Sequence, residues 1–171
     1  MMTDSEPDNI VVAYPELEEV DICRPLVQGF CDYCRSVKPV GDYADRADFD
    51  PFKLRPWLGY IMILEHLPAE DDFRYRMYGT FVAAQTGCDM TGRRVSDFGP
   101  ELGPAFSAFF KRLYSESLAR KTMIYAEHTR IYSRFDREWL RILCPVRAID
   151  TTQIVVCNYP MVRQKPVGGD I

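Results

Sequence analysis

The run from Phe73 to Phe98, FRYRMYGTFVAAQTGCDMTGRRVSDF, constrains the fold more than any other part of the chain. Phe73, Tyr75 and Met77 alternate with Arg74, Arg76 and Tyr78, the period-two pattern of a strand with two chemically different faces. Gly79 ends that strand, and Phe81-Val82-Ala83-Ala84 changes to a helix-compatible run. Gly87 stands where a helix would finish on a left-handed cap, and Gly92 follows five residues later. Asp89 and Thr91 are placed to accept backbone N–H groups at the start of a further short turn. A strand feeding short, glycine-punctuated helices makes a poor core brick. It makes a good pocket wall, because each break re-aims the side chains.

The flanking segments supply the rest of one domain. Residues 1–20 are expected to be a flexible, acidic start, in which Ile10 to Tyr14 is apolar enough to dock as an added edge strand. Residues 21–56 hold a helix and a loop. Asp21 is a candidate N-cap, Pro25 falls in the first turn, and Leu26, Phe30, Tyr33, Cys34 and Val37 form one apolar stripe. In the loop, Asp50-Pro51 fits a cap followed by proline at the first helical position. Residues 57–160 form the core. Its first strand, opened by Trp57 and running Leu58 to Leu64, is apolar on both faces and should be covered above and below. A long helix is expected over Glu101–Lys121, with Phe106, Phe109, Phe110 and Leu113 on its buried stripe. Three hairpin-linked strands follow, near Thr122–Tyr132, Glu138–Val146 and Gln153–Tyr159. Residues 161–171 read as a flexible tail. Strands, helices, then strands again is an α+β order around an antiparallel sheet.

The run Gly87-Cys88-Asp89-Met90-Thr91-Gly92-Arg93-Arg94-Val95 resembles the middle of a PAS domain, and Arg46-Ala47-Asp48-Phe49-Asp50-Pro51 resembles the approach to the first strand in a bacterial stand-alone PAS family. The likeness extends to about Tyr159. It implies a five-stranded sheet of order 2-1-5-4-3, with the short helices and the long helix on its concave face. It also implies a sensory or regulatory role in signal transduction without catalysis, with output passed to a separate signalling polypeptide.

On that fold the concave face is the candidate pocket for a small apolar ligand. The lining expected from the sequence is Ile61, Ile63, Phe73, Tyr75, Met77, Phe81, Val95, Phe98, Phe106, Phe110, Tyr125, Ile142 and Cys144. The opposing reading has these aromatics filling the space themselves, which would make the domain a ligand-free interaction adaptor. The convex face, assigned Tyr78, Trp139 and Leu143, needs a cover. The helix Asp21–Val37, with Leu26, Phe30 and Tyr33, is that cover in its own subunit or across a homodimer.

Other chemistries are disfavoured by the residues. A net charge of −4 argues against nucleic acid. No apolar run reaches the ~20 residues of a membrane helix, and no signal peptide opens the chain, so a cytoplasmic location with free thiols is expected. Cys31 and Cys34 form a C-x-x-C without a second ligand pair, so they read as packing residues, and no metal site is expected. Against the PAS pattern, the flavin-adduct position is Val95 rather than cysteine, and the long helix has no histidine for heme. His66 and His128 are alternative axial ligands that read first as surface or hydrogen-bonded residues. Cys144 with His128 is a candidate nucleophile–base pair on adjacent strands, and a small enzyme with a cone-like α+β fold is a separate alternative.

Overall fold

The computed structural model describes residues 6–98, 104–132 and 135–162, with side chains for all but 98, 130–132, 135–137 and 162. The chain forms one sheet with helices on both faces. In order come β1 (Asp8–Ala13), α1 (Pro25–Val37), β2 (Ala44–Asp45), β3 (Ile61–Leu67), β4 (Asp72–Tyr78), α2 (Thr80–Thr86), α3 (Pro104–Arg120), β5 (Ile124–Tyr132), β6 (Phe135–Arg147) and β7 (Thr152–Val162). The sheet is broader than the five strands the resemblance implies, and its order differs accordingly. It runs β1-β5-β6-β7-β3-β4, with β2 paired in parallel beside β6. Within it, β3 to β7 alone stand in the sequence β4-β3-β7-β6-β5.

Several boundaries move from their sequence-derived positions for identifiable reasons. Pro25 occupies the first turn of α1, so the helix starts there rather than at Asp21, and its N-cap Arg24 makes no side-chain cap. Residues Arg55–Tyr60 wind into a 3₁₀ turn, so the first core strand opens at Ile61 rather than Leu58. Residues 8–13 are a strand instead of a flexible start, and β7 takes in Met161 and Val162 from the expected tail. The remainder of that tail, 163–171, lies outside the described residues.

Two apolar layers enclose the sheet. On one face α2, α3 and the 3₁₀ turn Val95–Phe98 pack over Met62, Leu64, Phe73, Tyr75, Tyr78, Trp139, Leu143, Ile154 and Val156. On the other, α1 and the segment up to Leu54 cover Ile61, Ile63, Tyr125, Leu140, Ile142, Cys144, Val146, Val155 and Cys157. The α1 stripe that is fully buried is Val27, Phe30, Cys31 and Cys34, spaced i, i+3, i+4 and i+7. Trp57 locks this helix down. Its indole donates to the Leu26 carbonyl at 3.0 Å, and its ring meets Phe30 edge-on at 5.5 Å.

The glycine-broken segment folds back along β4. Gly87 adopts φ +76° and caps α2 through its N–H to the Ala83 carbonyl at 2.8 Å. The turn then binds the free edge of β4, with Tyr75 N–H donating to Arg93 at 2.9 Å and Gly92 N–H to Tyr75 at 2.7 Å. Gly79 is required by close approach rather than by torsion. A Cβ there would stand 2.4 Å from the Gly59 carbonyl oxygen and 2.9 Å from that of Ile61, both backbone atoms. Gly79→Ala is therefore expected to lower stability by about 1–3 kcal/mol, the range for overpacking. An unchanged denaturant midpoint would show that the β4–α2 corner is not packed as described.

Candidate functional site

The sheet face under α2 and α3 contains a small interior cavity. It is lined by Met62, Tyr75, Tyr78, Thr86, Phe106, Phe110, His128, Trp139, Arg141 and Asn158. Its water-accessible room is about 20 Å³, slightly more than the ~10–15 Å³ that seats one water. The strands form the floor: Arg141 on β6 stands directly opposite Asn158 on β7, and Trp139 opposite His128 on β5. Phe106 and Phe110 from α3 and Thr86 from the end of α2 form the opposing wall. Phe110 and His128 meet edge-on at 5.2 Å.

The floor carries Arg141, Asn158 and His128, and so is more polar than the largely apolar lining expected. Arg141 is buried and donates from Nη1 to the Tyr114 hydroxyl at 3.0 Å, with its guanidinium 4.0 Å from the centroid of Phe110. Burial pushes the Tyr75 hydroxyl well above its ordinary pKa, with Tyr114 and Tyr78 adding to the shift. Tyr114 is raised by burial and partly held down by the Arg141 charge. Both therefore remain neutral phenols at physiological pH. The Nε of Arg141 and the Oδ1 of Asn158 are buried without a partner among the described residues. Native interiors rarely leave such groups unmet, so two together in one cavity are a specific signal.

Of the lining predicted from sequence, Tyr75, Phe106 and Phe110 border this cavity, while Phe73 and Val95 are buried on the same face. The others require correction. Ile61, Ile63, Tyr125, Ile142 and Cys144 lie on the opposite face beneath α1, and Met77 packs there too. The residues given to the outer face, Tyr78, Trp139 and Leu143, are buried under α2 and α3. Strands apolar on both sides do not say which side a helix will cover. For Tyr78 the cause is local: the β3–β4 register shifts between Ile63 and Leu64, skipping Arg76 and returning Tyr78 to the face of Tyr75. Phe81 is 54% exposed, and the side chain of Phe98 lies outside the described residues.

The partner surface argued from sequence is likewise internal. Phe30 is buried, and Leu26 and Tyr33 are partly buried against the chain's own sheet. The nucleophile–base pair also dissolves, because Cys144 and His128 occupy opposite faces. Cys31 is pushed up to about 11 by burial, and Cys34 is raised by burial and by its hydrogen bond with Cys144. These are packing thiols between α1 and the sheet. His66 stacks on Phe73 at 5.0 Å, with burial lowering its pKa. Among the described residues, no cluster of His, Cys, Asp or Glu is arranged to hold a metal ion.

A wider groove, about 820 Å³, opens on the surface beside β2 and is lined by residues including Tyr43, Arg46, Asp50, Arg147 and Ile149. Its cations are already engaged: Arg46 bonds Gln153 and the Phe49 carbonyl, and Arg147 bonds Asp42. Size favours the groove, but unmet buried polar atoms favour the interior cavity. The second criterion carries more chemical information.

An antiparallel sheet with a glycine-broken helical segment and a long helix packed on one face is an α+β layer architecture. The family model described as "PAS domain" matches residues 25–153, and the chain belongs to that family. No curated protein and no solved structure matches it. Among the described residues, no helix is long and apolar enough to cross a membrane.

Proposed function

We propose that this PAS domain is a regulatory sensor that binds a small polar ligand in the cavity between its sheet and α3, and acts by binding rather than catalysis. The observation that supports this reading is the position of α2. Its last residue, Thr86, lines the cavity, while Phe81 in its first turn faces solvent. Phe81 packs on Tyr60 at 4.9 Å, and Tyr60 on Tyr159 at 5.1 Å, giving an aromatic strip that runs from exposed Phe81 to two half-buried tyrosines. A ligand that favours one packing of Thr86 and Tyr78 shifts α2 and, with it, that strip. The strip is then read by a separate signalling polypeptide.

The expected result is that hydrogen exchange at the amides of 80–86 slows when the cavity is filled, and that native mass spectrometry of gently purified protein carries a retained small molecule. Unchanged exchange and a bare mass with every compound tested would count against the sensor. The adaptor reading has one observation in its favour, the small size of the cavity. For that reading, partner binding alone protects 80–86.

A further inference from the structure

The cavity beneath α2 and α3 encloses a positive charge with no opposite charge paired to it among the described residues. Arg141 is 7% exposed, and the one hydrogen bond its guanidinium makes among the described residues is the one to Tyr114. No carboxylate among the described residues forms an ion pair with it. Tyr75 and Tyr114 do not supply the missing charge, because burial keeps both phenols protonated. Glu138, although buried on the same strand, alternates to the other side and acts on Tyr125 beneath α1. The face of Phe110 over the guanidinium compensates only partly, since a ring quadrupole is weaker than a counter-ion.

A desolvated cation needs both hydrogen-bond acceptors and charge, and a water molecule supplies only the first. The Nε–H of Arg141 is without a partner, and this is the edge of a guanidinium that receives a planar oxyanion. Directly across the β6–β7 ladder stands Asn158, 1% exposed, with no partner for its Oδ1. Rotation of its terminal amide turns the NH2 group to the same spot, as a second donor. The room beside them, about 20 Å³ of water-accessible space, suits an occupant of very few atoms.

We propose that the cavity binds a small monovalent anion, a halide or a planar oxyanion of the formate or nitrate kind, held by Arg141 Nε with Asn158 beside it. This rests on the sensor reading above and narrows its ligand to an anion. The site's neutral walls, Phe106, Phe110, Trp139 and Met62, exclude water from the pair and so strengthen it.

The test is a thermal-denaturation titration of the full chain, exchanged into gluconate buffer and then supplied separately with sodium chloride, formate or nitrate. The expected result is a midpoint that rises along a saturable curve, with the anion that saturates at the lowest concentration identifying halide or oxyanion. Arg141→Met loses the saturable part. Asn158→Leu raises the half-saturating concentration about tenfold, the equivalent of one charge-assisted hydrogen bond. The same unsaturable salt response in wild type and Arg141→Met overturns the proposal. Should Arg141→Met not fold, the Nε–Hε resonance of Arg141 in the wild-type protein decides. It moves saturably with one of these anions, or its immobility overturns the proposal. A retained neutral molecule with no anion response overturns this inference and leaves the sensor standing, whereas an interior that accepts nothing removes both.

Discussion

Replacing Lys38 by Met is expected to lower stability by about 3–5 kcal/mol, because it strands a carboxylate inside the protein. Lys38 Nζ lies 2.7 Å from Glu16 Oε1, with side-chain exposures of 0% and 5%. The other carboxylate oxygen accepts from the Met123 N–H at 2.7 Å and from the Thr122 hydroxyl at 3.1 Å. Lys38 also donates to the Pro39 carbonyl at 2.9 Å. The pair thus ties three segments together: the turn after β1, the end of α1 and the start of β5. Removing the lysine leaves the charge and its desolvation but takes away its partner. The double variant Lys38→Met with Glu16→Met removes both charges, and is expected to recover most of the loss. Urea unfolding of the two variants measures the difference. A loss below about 1 kcal/mol in the single variant would mean that residues 14–18 leave their seat in solution.

Phe30→Ala is expected to be comparably damaging, at about 3–5 kcal/mol for a large ring deleted from a filled site. Phe30 is fully buried between Trp57 and the sheet, on the face that also carries Leu140, Ile142 and Cys144. This variant also separates two arrangements of α1. With the helix on its own sheet, Phe30→Ala lowers the midpoint but leaves any pairing of copies through β1 unchanged. A helix exchanged between two copies would make the wild-type midpoint rise with concentration. A concentration-dependent midpoint together with loss of the dimer in Phe30→Ala would therefore contradict the packing of α1 described above.

How far the sequence could be read is clearest on β6. Alternation separated Trp139, Arg141 and Leu143 from Leu140, Ile142 and Cys144 correctly, since a strand's period is fixed by its backbone. Which set faced α3 was not legible. An arginine in an apolar strand points outward on every hydropathy argument, so the face that carries Arg141 reads as the outer one. In the folded chain that face is covered and the arginine lies within it. The residue that misdirects the reading is thus the residue around which the candidate site is built, as expected where function departs from local rules. Asn158 carried the same signal, a lone amide in the apolar run Ile154 to Tyr159, but the β6–β7 register is needed to set it opposite Arg141. The glycine breaks at 87 and 92 were legible because a positive φ is a one-residue requirement. The register shift beside Arg76 was not, because it depends on how β3 and β4 pair.

The turn after α2 has a consequence for assembly. By bonding Arg93 and Gly92 to Tyr75, with Arg94 bridged to Arg74, it covers the middle of the outer margin of β4. The outer margin of β1 has no strand beside it among the described residues, and Ile10, Val11 and Val12 are exposed there. A sheet with one covered and one open margin favours joining copies like to like. Such a contact is self-complementary and closes at two, so strand addition at β1 ends in a pair rather than a growing fibre.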